Sequence, residues 1–300
     1  MFKRERILSL PCVEANPKEV FVRISYTKMK CFPSTLVTVF ALTCALSAQQ
    51  ADEPKPEFDK SKAEKAALPM PNPYDKLLAI EETVGKDKVD WSALADNMAI
   101  DVDANEIEGR PDAALALGVK IADGIVAIKA QNAEKLNRSA DQLEALGKKL
   151  GATDDDLKRA RQVREMANRG EWMMVFLELG FLQADIMKKL AAPENKDERT
   201  LVIASGWLQG GRYATALIEQ NYTPELSNIL REPVLAGELN KQVSAVGGEL
   251  AKSPKVQAVT KAMSEAYPIV NIPLDASISK DDVGKLKSIG DTAVEAVTAE

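Results

Sequence analysis

The sequence predicts an all-α protein, a bundle of about eight to ten helices or a stack of antiparallel helical hairpins, and three observations carry that prediction. From residue 73 to the end, apolar residues recur three and four positions apart, the spacing of one helix face. Aromatic residues make up only 5% of the chain while Ala and Leu fill most apolar positions, a balance suited to close-packed helices rather than to sheets. Proline and glycine fall between the periodic stretches, where helices begin and end. With 300 residues, 45% of them hydrophobic, and a mean hydropathy of -0.19, the chain can bury one sizeable core.

The first 48 residues read as a secretory leader. Lys28 and Lys30 precede an apolar run over 31–46, and the small residues Ser47 and Ala48 follow it. Pro33, Ser34, Thr35 and Thr38 interrupt the run, which falls short of the ~20 apolar residues of a membrane-spanning helix, so cleavage after Ser47 or Ala48 is expected rather than anchoring. Residues 1–28 carry Glu5, Glu14 and Glu19 and do not resemble the basic start of a signal. Either Met29 is the true start and 1–28 a misassigned extension, or the leader is unusually long. Residues 49–71 are charged and punctuated by proline, with too little apolar surface to offset their ordering entropy, and read as a disordered linker. The helical domain is expected over 72–300.

Within it, Pro73 suits a first helical turn, and Leu77, Leu78 and Ile80 give that helix an inner face up to Gly85. A second helix fits 90–100 through Trp91, Leu94 and Met98. Pro111 and Asp112 open a long one reaching Gln131, and 133–150 forms the next, stopped by Gly151. Thr153 and the acids 154–156 predict a helix start, since carboxylates favour the positive end of the helix dipole, with an end near Gly170. The stretch 172–190 is the most apolar of the domain, with Trp172, Val175, Phe176, Leu179, Leu182, Ile186 and Leu190 at helical spacing, and is expected to be the buried central helix. Helices over 198–222, 234–252, 254–266 and 280–298 complete the set, with a short one from Pro224 and a loop over 268–278. The run 167–172 (Ala-Asn-Arg-Gly-Glu-Trp) resembles the turn between helices of tetratricopeptide-like arrays over six residues, which implies stacked hairpins. It has no echo ~34 residues away, the period such arrays keep.

Composition excludes several chemistries. The chain has no histidine, which removes the commonest general base and metal ligand, and with them Ser-His-Asp and Cys-His catalysis. Its three cysteines, Cys12, Cys31 and Cys44, all precede the expected cut, leaving no thiol for a disulfide or a structural zinc in the mature domain. The first 48 residues hold seven basic and three acidic side chains, so the remainder carries 32 basic against 42 acidic, a net charge of -10 that opposes binding to nucleic acid or to anionic membrane.

Two constellations stand out. Gly206, Gly210 and Gly211 sit inside a helical pattern, where each costs ~1 kcal/mol relative to Ala. Ala204, Gly206, Gly210 and Ala214 make a bare strip for a neighbouring helix, with Gly118, Gly124 and Gly180 as possible matching spots. The functional reading of the same strip is a small pocket walled by Trp207 and Tyr213 and polarised by Gln209 and Arg212. A guanidinium cannot deprotonate, so Arg212 in apolar surroundings requires a carboxylate, with Asp123, Glu178 and Asp185 as candidates, or an anionic ligand. Asp101, Asp103, Asn105 and Asp112 match positions one, three, five and twelve of an EF-hand calcium loop, although Glu106 replaces the turn glycine and Asp112 the final glutamate. The simpler account of those acids is a solvated loop and a helix start.

The expectation is an exported, non-enzymatic binding or scaffold protein of the cell envelope, meeting a partner protein or a small molecule and needing no cofactor, with calcium as the one candidate ion. It has no nucleic-acid partner and no integral membrane segment in the mature chain. The alternatives are a glycan-directed hydrolase using two of Asp123, Glu178 and Asp185, and a purely structural spacer.

Overall fold

The computed structural model describes residues 73–155 and 157–299, where every regular element is helical and no strand occurs. The leader over 1–48, its extension over 1–28 and the linker over 49–71 lie outside the described residues. Ten helices of eight residues or more build the domain: α1 Pro73–Val84, α2 Trp91–Met98, α3 Arg110–Lys129, α4 Ala133–Lys149, α5 Lys158–Asn168, α6 Trp172–Lys189, α7 Lys196–Gln220, α8 Pro233–Ser244, α9 Pro254–Val270 and α10 Lys280–Thr298. A helical turn at Pro224–Ser227 links α7 to α8.

Local chemistry sets the helix starts. The side chains of Asp90, Asn132, Ser253 and Ser279 each accept a hydrogen bond from a backbone N–H three residues on, satisfying one of the unpaired donors of α2, α4, α9 and α10. Gly151 and Gly170 terminate α4 and α5 in the left-handed region, at φ 93° and 74°.

The core is organised around α3 and α7. In α3 every residue from Ala113 to Ile128 is buried, and α7 is enclosed almost as completely between Glu198 and Ile218. A helix surrounded on all sides needs small residues wherever another backbone comes close, and the two cross at Gly118 and Gly206. A Cβ on Gly118 would lie 2.1 Å from the Val202 carbonyl oxygen, and one on Gly206 would lie 3.2 Å from the Gly118 oxygen. Around this pair, α2 and α4 pack on α3, while α1, α8 and α10 pack on α7. On one side α5 joins α4 to α6. On the other, α9 sits between α8 and α10. Short connections make consecutive neighbours such as α3 and α4, or α5 and α6, antiparallel.

Four expectations need correction. The segment 172–190 is not the central helix: α6 buries Val175, Leu179, Leu182, Ile186 and Met187 and leaves Met173, Met174, Leu177 and Phe181 exposed. Full enclosure went instead to helices rich in Ala and Gly, because tight crossing selects small side chains, and overall hydrophobicity does not measure that. The helix expected at the acids 154–156 begins only at Lys158. Before it, Leu157 is buried in a turn whose N–H donates to the Thr153 carbonyl at 3.1 Å. The helix over 234–252 stops at Ser244, with Gly248 at φ 63° in the break and a separate turn at Leu250–Lys252. The helix from Pro254 runs to Val270, past Pro268, whose missing N–H forfeits only one bond in a final turn. No described helix is long and apolar enough to cross a membrane.

Candidate functional site

The glycine-flanked stretch of α7 lies against a buried polar network. Helical spacing places Lys120 and Asp123 on one face of α3, and Gln209, Arg212 and Tyr213 on one face of α7. Asp123 is the hub. Its Oδ1 accepts from Gln209 Nε2 at 2.6 Å and from the Tyr213 hydroxyl at 2.8 Å, and its Oδ2 accepts from Lys120 Nζ at 2.8 Å and from the Ile100 N–H at 3.2 Å. Four donors fill the acceptor sites of a carboxylate whose residue is only 2% exposed.

The remaining partners come from the end of α2. A helix leaves its last carbonyls unpaired, and cations nearby are favoured by the helix dipole. Gln209 Nε2 donates to the Met98 carbonyl at 3.2 Å, Arg212 Nη1 lies 3.5 Å from the same oxygen, and Lys120 Nζ donates to the Ile100 carbonyl at 2.6 Å. Asp123 and α7 therefore fasten the chain where it leaves α2.

Arg212 meets a carboxylate, as its chemistry requires, and the carboxylate is Asp291 of α10, reached by Nε at 2.7 Å. Its Nη1 donates to Gln209 Oε1 at 2.7 Å, and Lys287 donates to the other Asp291 oxygen at 3.2 Å. Gly290 makes room for this arm, since a Cβ there would stand 2.6 Å from Arg212 Cγ. Burial pushes the Tyr213 hydroxyl well above its ordinary pKa, and the neighbouring Asp123 charge adds to the effect, so the phenol remains a donor.

The other predicted residues lie elsewhere. Glu178 and Asp185 project from α6 and both accept from Arg159 of α5, at 2.9 Å from Nη1 and 2.8 Å from Nε. That guanidinium bridges the two carboxylates, while Asp123 is sealed in the core. Trp207 points away from the network, and its indole N–H donates to Glu232 at 2.7 Å beside Lys76, which bonds the same oxygen at 2.6 Å. A small apolar cavity of about 20 Å³, room for about one water molecule, lies among Trp207, Leu208, Gly211, Val270 and Gly290. The missing side chains thus do open a space at Trp207, but Gln209, Arg212 and Tyr213 are not among the residues lining it.

The calcium-loop residues turn to separate partners. Asp101 accepts from Gln142 at 2.7 Å, and Asp103 Oδ1 closes a turn on the Asn105 N–H at 2.8 Å. Asp112 sits in the first turn of α3, facing Ser253 at 3.5 Å and Lys255 at 3.8 Å. Among the described residues no three of His, Cys, Asp and Glu group together to hold a metal ion.

Sequence reasoning passed over Lys120, Asp291 and Gly290. Lys120 did leave a signal, as the one cation inside the apolar run 113–128. Compared with protein-family models, with curated proteins and with solved structures, the chain matches none of them.

Proposed function

We propose that this chain is an exported, non-enzymatic scaffold or binding protein whose contact surface is the outer face of α6. The observation that carries the reading is the line of large apolar side chains left open there: Met173 is 72% exposed, Phe181 53%, and Met174 and Leu177 nearly half. Soluble proteins seldom leave contiguous apolar patches beyond a few hundred Å², and larger ones mark interaction sites. The chemistry elsewhere points the same way. The chain lacks histidine, its cysteines lie within the first 44 residues, and Asp123, Gln209, Arg212 and Tyr213 satisfy one another in a closed network that fixes helix register. The basic, apolar and small-residue pattern over 28–48 supports export.

A photoreactive residue placed at 177 or 181 in living cells tests the surface, with Lys261, 75% exposed on α9, as the control position. Adducts from 177 and 181 and none from 261 are expected. Equal labelling at all three positions, or none, removes the reading, as does turnover of a cell-wall or sugar substrate by the pure chain. Export is checked by intact mass, which should show a new N-terminus after Ser47 or Ala48.

A further inference from the structure

We infer that Met173 and Met174 form an oxidation site whose conversion to sulfoxides turns the open face of α6 from apolar to polar. This rests on the proposal that the face is a contact surface, and it names the regulation: an oxidant of the peroxide class closes the surface to its partner. Among the described residues sulfur occurs only in methionine, since Cys12, Cys31 and Cys44 all precede residue 73. Met263 and Met187 are buried, and Met98 and Met166 pack against the core. Met173 and Met174, adjacent in the chain, are the exposed pair. Oxidants reach a thioether by collision, so exposure decides which methionines react first.

Their place on the helix gives that chemistry a consequence. Met173 lies four residues before Leu177, Met174 three before it, and Phe181 four after it, so the four side chains share one stripe. At the far end of the stripe the Arg159 guanidinium already lies over the Phe181 ring, 5.1 Å from its centre. The part without a cation over it is therefore Leu177 and the methionine pair, in which Met173 alone is 72% exposed. A sulfoxide at each methionine places two hydrogen-bond acceptors there. Burying an acceptor against an apolar partner that offers no donor is unfavourable.

The step is an oxygen-atom transfer. The sulfur lone pair attacks one oxygen of hydrogen peroxide or an organic hydroperoxide, the O–O bond breaks and an S–O bond forms. The departing oxygen takes up the proton and leaves as water or an alcohol, so sulfur loses two electrons and the peroxide gains two. Methionine sulfoxide reductases reverse the change. Met173 and Met174 belong to the first turn of α6 and not to the core, so the added oxygen leaves the packing intact. The same oxygen on Met263 would disrupt it, because that side chain is fully enclosed.

Graded hydrogen peroxide on the purified full chain, followed by peptide mass mapping, gives the first readout. Met173 and Met174 should each gain one oxygen several-fold faster than Met98, Met166, Met187 and Met263, with the far-ultraviolet circular dichroism unchanged. Retention on a phenyl column reads the face itself. The oxidised chain should elute earlier, and methionine sulfoxide reductase should restore its retention. Met173→Leu combined with Met174→Leu keeps side-chain volume and should remove the peroxide-dependent shift. In cells, photo-adducts from position 177 should fall by about tenfold or more under peroxide and persist when the two leucines are present. Even oxidation across the six methionines, an oxidised chain retained like the parent, an equal shift in the leucine variant, or adducts indifferent to peroxide overturns the inference. If untreated cells give no adducts, the contact-surface reading fails and the regulation with it, while selective oxidation with its retention shift still upholds the oxidation site.

Discussion

The crossing of α3 and α7 makes Gly118→Ala the most demanding small change in the molecule. A methyl group there would lie 2.1 Å from the Val202 carbonyl oxygen, 2.2 Å from Ser205 Oγ and 2.8 Å from the Gly206 nitrogen. The serine hydroxyl can rotate away, but two of the three atoms are α7 backbone, so relief requires the helices to part by about 1 Å. Overpacking a core costs about 1–3 kcal/mol and occasionally more, and the better helix propensity of Ala returns ~1 kcal/mol. The carbonyl clash places this site at the upper end, a net loss of about 2 kcal/mol or more. For a domain of this size that lowers Tm by about 4–8 °C. Separation at Gly118 also pulls on Lys120 and Asp123, which lie within the next turn and a half of the same helix. The internal control is Gly211→Ala. Its Cβ would meet nothing within 4 Å, so the change should stabilise by ~1 kcal/mol and raise Tm by about 2–4 °C. Thermal and urea unfolding, followed by circular dichroism and tryptophan fluorescence, read both. A Gly118→Ala protein as stable as the parent, or a Gly211→Ala protein less stable than Gly118→Ala, would refute the crossing.

Removing the hub of the network with Asp123→Ala leaves Lys120 buried without its carboxylate and should cost about 3–5 kcal/mol in urea unfolding. Adding Lys120→Met should restore part of that loss, which a double-mutant cycle measures. Tyr213→Phe deletes a bond to a charged acceptor and should cost about 1.5–3 kcal/mol. Because the folded Tyr213 holds its proton more tightly than the unfolded one, its contribution is complete below the ordinary value of 10.0 and is lost as pH rises beyond it, so Tyr213→Phe should flatten the alkaline limb of a stability–pH curve. Glu81 behaves in the opposite sense. Burial would raise it, but hydrogen bonds from Lys129 and Trp91 and the Lys129 charge outweigh burial and hold it below its ordinary 4.5. Its contribution is present above 4.5 and disappears as pH falls through the lowered folded value, so Glu81→Gln should flatten the acid limb.

The helical class and most helix starts were readable in the sequence because periodicity and capping are local properties. Asp90 and Asn132 announce α2 and α4 within four residues of chain. The glycine strip was readable too, as a cost needing a reason, and at Gly206 the reason is the Gly118 backbone, whereas Gly211 has no such neighbour. The identity of Arg212's partner was not. Asp291 lies 79 residues away on a helix whose own pattern gives no hint of α7, while Glu178 and Asp185 offered equally good chemistry nearer in sequence. The rank of α6 was misread for a related reason. A segment apolar all round looks the same whether its second face meets this chain or is left open, and only the arrangement of the other helices decides which.

The pairing of α3 with α7 also constrains the order in which the chain can mature. The start of α3 at Arg110 and that of α7 at Lys196 lie 86 residues apart, and α4, α5 and α6 are completed between them. Before α7 emerges, Lys120 already has Asp123 and the Ile100 carbonyl as partners and α3 has α2 and α4 to pack on, but the flank of α3 that α7 covers has no occupant. A fragment ending after Lys189 would keep its local helices yet expose the whole α7-facing side of α3, so it should clump rather than behave as an autonomous unit.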